Sequence, residues 1–168
     1  MKDVGRRPEA ILPPAETETE AEPSSLTLLL ASASPRRREL AALLGASIAV
    51  RPTSADESPR PGETGREITR RLARLKAAAA PPGSPIVLAA DTTVVLDSVV
   101  LGKPEDAADA VRMVRALAGR RHDVITGICL RYRQALFIDA AVTAGEFAPM
   151  TEAQIEANVG SGEPMEKA

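Results

Sequence analysis

The chain has 168 residues, a formal net charge of −2 and a pI of about 5.6, and this slightly acidic balance argues against a nucleic-acid-binding surface. Hydrophobic residues make up 44% and charged residues 26%, as in ordinary globular domains, whereas aromatic residues make up only 2% and leave few stacking platforms for single-stranded nucleic acid. No run approaches the roughly 20 apolar residues of a membrane span, so no membrane partner is expected.

The first half of the chain predicts a tail followed by alternating strands and helices. Residues 1–25 are rich in Pro, Glu, Thr and Ala without apolar periodicity, which predicts a disordered tail before one domain over residues 26–168. The next predicted elements are a buried strand over 26–32 and a helix over 35–44, with Leu40, Leu43 and Leu44 on one side of that helix. A short strand over 47–51 and a loop over 52–63 follow. The second predicted helix begins at the capping box Thr64-x-x-Glu67 and ends at Pro81.

The second half continues this alternation. Its predicted elements are a strand over 86–96, a turn at 97–98, a return strand over 99–101, a helix over about 105–118, strands over 124–132 and 136–147, and a helix that opens at Thr151. Interleaved strands and helices predict the α/β class, with a mixed twisted sheet flanked by helices. The single cysteine, Cys129, lies in an apolar stretch, which indicates a buried thiol in a reducing, cytoplasmic compartment.

The first candidate site is the turn where the first strand gives way to a helix. Ser34 suits the N-cap of that helix and Pro35 its first position. Acidic residues usually occupy a first helical turn, but here Arg36 and Arg37 do. Because arginine binds phosphate oxygens through two donors at once, this turn predicts a polyphosphate site. The alternative is a solvated basic helix face.

The second candidate is Asp91, which interrupts the apolar run from Ile86 to Leu96. An unpaired carboxylate inside such a strand costs several kcal/mol, so Asp91 must be paired, protonated or bound to a metal. A carboxylate on a strand beside hydroxyl groups suits a general base or a Mg²⁺ ligand. The alternative is an Asp that caps the backbone at a strand end.

Four further polar residues have both a functional and a structural interpretation. Lys103 lies in Gly-Lys-Pro, which permits close approach of an anion. Lys76 flanks the buried face of its helix, where it either reaches past the core to solvent or meets a ligand. Glu57 lies in a polar loop and, taken alone, is expected to be solvated. His122, the only histidine, follows the third predicted helix, where neutralisation of the helix end is the simpler interpretation.

Together these motifs resemble the Maf (septum-formation-inhibitor) family of nucleoside triphosphate pyrophosphatases over residues 27–168. The segments that carry the resemblance are Leu-Ala-Ser-Ala-Ser-Pro-Arg-Arg-Arg-Glu-Leu at 30–40, Ala-Ala-Asp-Thr-Thr-Val-Val at 89–95, Leu-Gly-Lys-Pro-Glu-Asp-Ala at 101–107, Leu-Ala-Gly-Arg-Arg-His-Asp-Val-Ile-Thr-Gly at 117–127 and Gly-Glu-Pro-Met-Glu-Lys-Ala at 162–168. Their order and spacing match the family.

The resemblance implies a Maf/ITPase-like fold with a substrate cleft, and metal-dependent hydrolysis of a nucleoside triphosphate between the α and β phosphates. It implies Asp91 as the proton acceptor and a divalent metal, Mg²⁺ or Mn²⁺. Because Mg²⁺ prefers oxygen ligands, Asp91 and Glu57 are the expected metal ligands. The residues it places in the substrate cleft are Ser32, Arg36, Arg37, Glu57, Lys76 and Lys103. Arg36 and Thr92 resemble the subfamily that acts on dTTP and UTP. The resemblance also implies a homodimer, although no interface pattern stands out.

The end of the chain departs from the family pattern. Glu166 replaces the usual Asp, and the chain stops at Ala168 before the glycine-rich continuation, which predicts a truncated domain. This departure motivates a second hypothesis, a catalytically impaired nucleotide-binding or regulatory protein linked to cell division. A third hypothesis is a general metal-dependent phosphohydrolase.

Overall fold

The computed structural model describes residues 27–84 and 86–162, so the predicted tail over 1–25 lies outside the described residues. The described residues form an α/β structure with one mixed sheet, which confirms the predicted fold class. The elements in chain order are β1 (Thr27–Leu30), α1 (Pro35–Ala42), β2 (Ser47–Val50), α2 (Gly65–Ala78), β3 (Ile86–Leu96), β4 (Val99–Leu101), α3 (Ala107–Leu117), β5 (Arg121–Tyr132), β6 (Ala135–Glu146) and α4 (Glu152–Gly160).

Strand β3 is the centre of the sheet, whose order is β2-β1-β3-β5-β6. One edge of β3 pairs along most of its length with β5, in the antiparallel direction. The other edge is shared: β1 pairs in parallel as far as Leu88, and β4 pairs in antiparallel fashion from Val94 onward. Between these two partners, no strand of the described residues pairs with residues 89–93 on that edge. We call this interval the β3 gap.

The helices α1 and α2 cover opposite faces of the sheet. Val87 and Ala89 of β3 pack with Ala73 and Ala77 of α2, while Ala41 of α1 packs with the strand residues on the other face. Because successive side chains of a strand alternate between faces, Asp91 shares the α2 face with Val87 and Ala89.

Two details of the packing and boundaries differ from the predictions. The buried residue of α1 is Ala41, whereas Leu40, Leu43 and Leu44 are 65%, 82% and 62% exposed. Strand β5 begins at Arg121 rather than 124, since its ladder with β6 continues to the end of both strands. His122 therefore lies on β5, buried against the ring of Phe147, and does not neutralise a helix end.

Two further observations concern the helices. Helix α3 begins at Ala107 with Asp106 as its N-cap, because the Asp106 side chain accepts a hydrogen bond from the Asp109 amide. Within the described residues, no helix has both the length and the apolar character that crossing a bilayer requires.

Candidate active site

The turn between β1 and α1 has the predicted geometry. Ser34 is the N-cap of α1, Pro35 follows at its start, and the first turn of the helix holds no acidic residue. Ser32, which is buried, accepts hydrogen bonds through Oγ from the Ser34 amide at 3.2 Å and from Arg37 Nη1 at 3.4 Å. The turn therefore holds a cationic side chain close to a helix N-terminus, where an anion is favoured.

Arg37 reaches from α1 to the centre of the sheet. Its Nη2 donates to Thr92 Oγ1 at 3.1 Å, and Thr92 Oγ1 lies 3.0 Å from Thr126 Oγ1 of β5. The sequence pointed to Arg37 and Thr92 but gave no role to Thr126. The sequence shows Thr126 only as a hydroxyl residue in Val-Ile-Thr-Gly. Its contact with Thr92 depends on the pairing of β3 with β5, which places the two threonines opposite each other.

On the α2 face, one lysine joins two carboxylates. Lys76 Nζ lies 2.7 Å from Asp91 Oδ1 and 2.9 Å from Glu57 Oε1. The Lys76 and Asp91 side chains are each 11% exposed, whereas Glu57 is 44% exposed at the rim. The buried carboxylate is thus paired, as its apolar strand requires. Lys76 does not reach past the core to solvent, and Glu57 is not simply solvated.

The position of Lys76 depends on how closely α2 lies on the sheet. The capping box of Thr64 and Glu67 fixes the start of α2, as the sequence predicts. Gly127 lies opposite Asp91 in the ladder, and a Cβ there would be 2.4 Å from the carbonyl carbon of Thr69 on α2. The missing side chain lets α2 approach near enough for Lys76 to reach Asp91.

The charges of this region act on one another. Burial lowers the pKa of Arg37, an effect that the negative charge of Asp91 opposes and the neighbouring Arg36 reinforces. Burial alone would raise the pKa of Glu57, but the hydrogen bond and charge of Lys76, with the charges of Lys103 and Arg37, lower it overall. Asp91, Glu57, Arg37 and Lys103 therefore form one electrostatic group.

The predicted site residues meet at the β3 gap from several elements. Ser32 follows the end of β1 on one side of the gap, and Lys103 follows the end of β4 on the other. Asp91 and Thr92 lie within the gap and point to opposite faces, toward Lys76 and Arg37 respectively. Arg36 and Lys103 are exposed, and neither has an ion pair within the described residues.

The oxygens at the gap suit a divalent cation. Asp91 Oδ1 contacts Lys76, but no hydrogen bond to Asp91 Oδ2 or Glu57 Oε2 occurs within residues 27–84 and 86–162. In that same part of the chain no three His, Cys, Asp or Glu residues cluster as metal ligands. Mg²⁺ commonly binds through one or two carboxylates together with substrate phosphates, so this donor set fits it.

Comparison with known proteins identifies the family. The family model described as "Maf-like protein" matches residues 27–168. The chain belongs to this Maf-like family. One Maf-like relative, from Anaeromyxobacter dehalogenans (strain 2CP-C), is 52% identical over 145 residues, which are 84% of this chain and 74% of the relative. Another, from Chromobacterium violaceum, is 44% identical over 84% of this chain and 75% of the relative. Both are named dTTP/UTP pyrophosphatase.

The Maf-like chain also resembles a solved structure of low sequence identity. The Staphylococcus aureus Ham1 protein aligns with a TM-score of 0.52 and 17% identity over 71% of each chain. At this identity the likeness shows the fold alone. It agrees with the mixed sheet and flanking helices described above.

Proposed function

We propose that this Maf-like protein hydrolyses nucleoside triphosphates, with dTTP and UTP as substrates, to the monophosphate and pyrophosphate. The observation that carries the proposal is the convergence of a carboxylate–lysine–carboxylate group and a half-buried arginine, Arg37, on the β3 gap. The names of the Maf-like relatives supply the substrate bases.

The charge distribution supports a triphosphate ligand. Arg37 is fixed by Ser32 and Thr92, so its guanidinium is oriented before a ligand arrives. Arg36 and Lys103 are exposed and, among the described residues, have no ion pair to break before they turn toward a polyphosphate chain. Several cations around one cleft offset the charge of a triphosphate and of the pyrophosphate that leaves.

The carboxylate geometry supports attack by water. Lys76 orients Asp91 through Oδ1 and leaves Oδ2 free to accept a proton. In the proposed reaction, the water oxygen bonds to the α-phosphorus while the bond from that phosphorus to the α–β bridging oxygen breaks. Asp91 takes the proton of the water, and pyrophosphate carries away the bridging oxygen.

Glu57 is the proposed ligand of a divalent cation through Oε2, the oxygen that Lys76 does not contact. Asp91 would be a second ligand through Oδ2 in the alternative in which it does not take the proton of the water. When bound, Mg²⁺ or Mn²⁺ would neutralise phosphate charge and lower the pKa of a coordinated water. Glu57, at the exposed rim, is suited to joining the cation to phosphate oxygens of the substrate.

The test is product analysis with the purified chain, dTTP or UTP, and Mg²⁺ or Mn²⁺. We expect pyrophosphate and no orthophosphate, and in ¹⁸O-labelled water we expect the label in the monophosphate. Asp91→Asn should lower kcat by at least about a hundredfold, because it removes the proton acceptor. Asp123→Asn, which changes an exposed carboxylate of β5 outside the site, is the matched control and should retain activity.

Three results would contradict the proposal. Orthophosphate as the first product would exclude the reaction class, and label in pyrophosphate would exclude attack at the α-phosphorus. Full activity of Asp91→Asn would remove Asp91 from its role. Tight binding of dTTP without turnover would instead support a nucleotide-binding protein.

A further inference from the structure

The loop that carries Glu57 has little structure of its own. Residues 51–60 belong to no helix or strand. A groove of about 390 Å³ lies beside it, lined by Ala55, Pro59 and other loop residues, by Leu75 of α2 and by Ala79, which follows that helix. The loop is therefore incompletely packed on the helix, and polar contacts must fix the position of Glu57.

Arg71 of α2 makes the main polar contacts across this groove. Its Nε lies 2.5 Å from Glu63 Oε1, its Nη2 lies 2.6 Å from Glu63 Oε2, and the same Nη2 donates to the carbonyl oxygen of Ser58 at 3.1 Å. The Arg71 and Glu63 side chains are 15% and 16% exposed. A planar guanidinium has several N–H donors, so the one side chain of Arg71 can bind both the Glu63 carboxylate and the Ser58 carbonyl oxygen.

The contacts of Arg71 continue through Glu63 into the loop after Glu57, and a further hydrogen bond spans Glu57 itself. Glu63 Oε2 also accepts from the Arg60 amide at 3.0 Å, and Asp56 Oδ1 accepts from the Ser58 amide at 3.0 Å. The backbone over residues 56–60 is thereby tied to Arg71 through Ser58 and Glu63. The hydrogen bond from Arg71 also holds the pKa of Glu63 below its ordinary value, so the carboxylate stays charged at neutral pH.

We propose that Arg71, acting with Glu63, is a positioning residue that holds Glu57 in place beside Lys76 and Asp91. This assignment rests on the proposed function, because it gives Arg71 its importance through Glu57. Arg71 lies five residues before Lys76 on α2, so a single rigid helix carries both the group that contacts Glu57 and the group that holds its loop.

A double-mutant cycle separates this role from a general structural one. We expect Arg71→Ala to lower kcat/KM for dTTP about tenfold, since a displaced ligand loop spoils alignment of the reacting groups. In a Glu57→Gln background the same substitution should change kcat/KM less than about twofold, because the residue through which Arg71 acts is already altered. Arg70→Ala is the matched control, because Arg70 is the neighbouring exposed arginine and its side chain makes no hydrogen bond or ion pair within the described residues.

Amide hydrogen exchange provides a readout that does not depend on activity. Arg71→Ala should speed exchange at least about fivefold at the Ser58 and Arg60 amides, while the amides of β3 and the thermal midpoint show whether the fold is retained. Arg70→Ala should leave the exchange of the loop unchanged.

The outcomes are distinguishable. An equal loss of activity from Arg71→Ala with and without Glu57 overturns the positioning role, and so does unchanged exchange at Ser58 and Arg60. If the unaltered chain releases no pyrophosphate from dTTP or UTP, the proposed function fails. In that case the amide hydrogen exchange rates at Ser58 and Arg60 are the only test of whether Arg71 fixes the loop.

Discussion

Gly127→Ala tests whether the contact between Lys76 and Asp91 requires the close approach of α2 to the sheet. A Cβ at this position would lie 2.4 Å and 2.5 Å from the carbonyl carbon and oxygen of Thr69, and 2.7 Å from the Arg70 amide nitrogen. All three are backbone atoms, so no side chain can rotate to relieve the contact. The helix itself has to move.

The size of the movement follows from these distances. Ordinary contacts begin near 3.4 Å and the nearest atom would lie at 2.4 Å, so α2 must retreat by about 1 Å. Overpacking of this kind costs about 1–3 kcal/mol. For a domain of this size, a loss of about 2 kcal/mol lowers Tm by about 6–10 °C.

The same retreat carries Lys76 away from Asp91. The Lys76 Nζ to Asp91 Oδ1 contact is 2.7 Å, so a shift of about 1 Å takes it beyond hydrogen-bond range. A misplacement of this size can lower a catalytic rate by as much as about a hundredfold. We therefore expect Gly127→Ala to lower kcat for dTTP by at least about tenfold, at temperatures well below its Tm.

The assays are thermal unfolding and release of pyrophosphate from dTTP. The matched control is Gly160→Ala at the end of α4, where a Cβ meets nothing within 4 Å. This variant should keep full activity and the Tm of the unaltered chain, or gain slightly from reduced freedom of the unfolded state. If Gly127→Ala unfolds within about 1 °C of the unaltered chain and hydrolyses dTTP at its rate, the reasoning from close approach is refuted.

Three other substitutions test separate parts of the site. Lys76→Met should lower the free energy of unfolding by about 3 kcal/mol in denaturant titrations, because it leaves the buried Asp91 carboxylate without its partner; an unchanged midpoint would show that the pair is not stabilising. Thr126→Val removes one hydrogen bond that holds Thr92, so kcat/KM should fall about fivefold, and an unchanged value would mean that Arg37 holds Thr92 without help. The pKa of Glu57 lies below its ordinary 4.5 in the folded chain, so its stabilising contribution is complete above about pH 4.5 and is lost as the pH falls through the folded pKa. Glu57→Gln should therefore flatten the fall of Tm below about pH 4.5, and identical acid profiles would contradict that pairing.

Local signals in the sequence were sufficient for much of the fold. Ser34 with Pro35, and Thr64 with Glu67, act within one turn of chain, so their roles as helix starts could be predicted without tertiary information and are confirmed. Asp91 was identified because a carboxylate in an apolar strand requires a partner wherever the strand lies.

The errors arose where burial depends on neighbours distant in sequence. Leu40 and Leu43 follow helical spacing, but the face of α1 that meets the sheet is that of Ala41. His122 was placed at a helix end because the start of β5 could not be located. Pairing with β6 extends that strand over a polar segment that has no strand pattern of its own.

The sequence by itself determined the strand–turn–helix around Arg37, the strand that bears Asp91 and the motifs of the Maf-like family, because each depends on residues close together in the chain. Tertiary structure alone decided where the neighbours of β3 pair with it. The pairing with β1 ends at Leu88 of β3 and the pairing with β4 begins at Val94 of β3, which leaves the gap where these groups meet. It also decided that Lys76 joins Asp91 to Glu57. Such contacts depend on strand register and on the distance between helix and sheet, which are set by packing between segments remote in sequence.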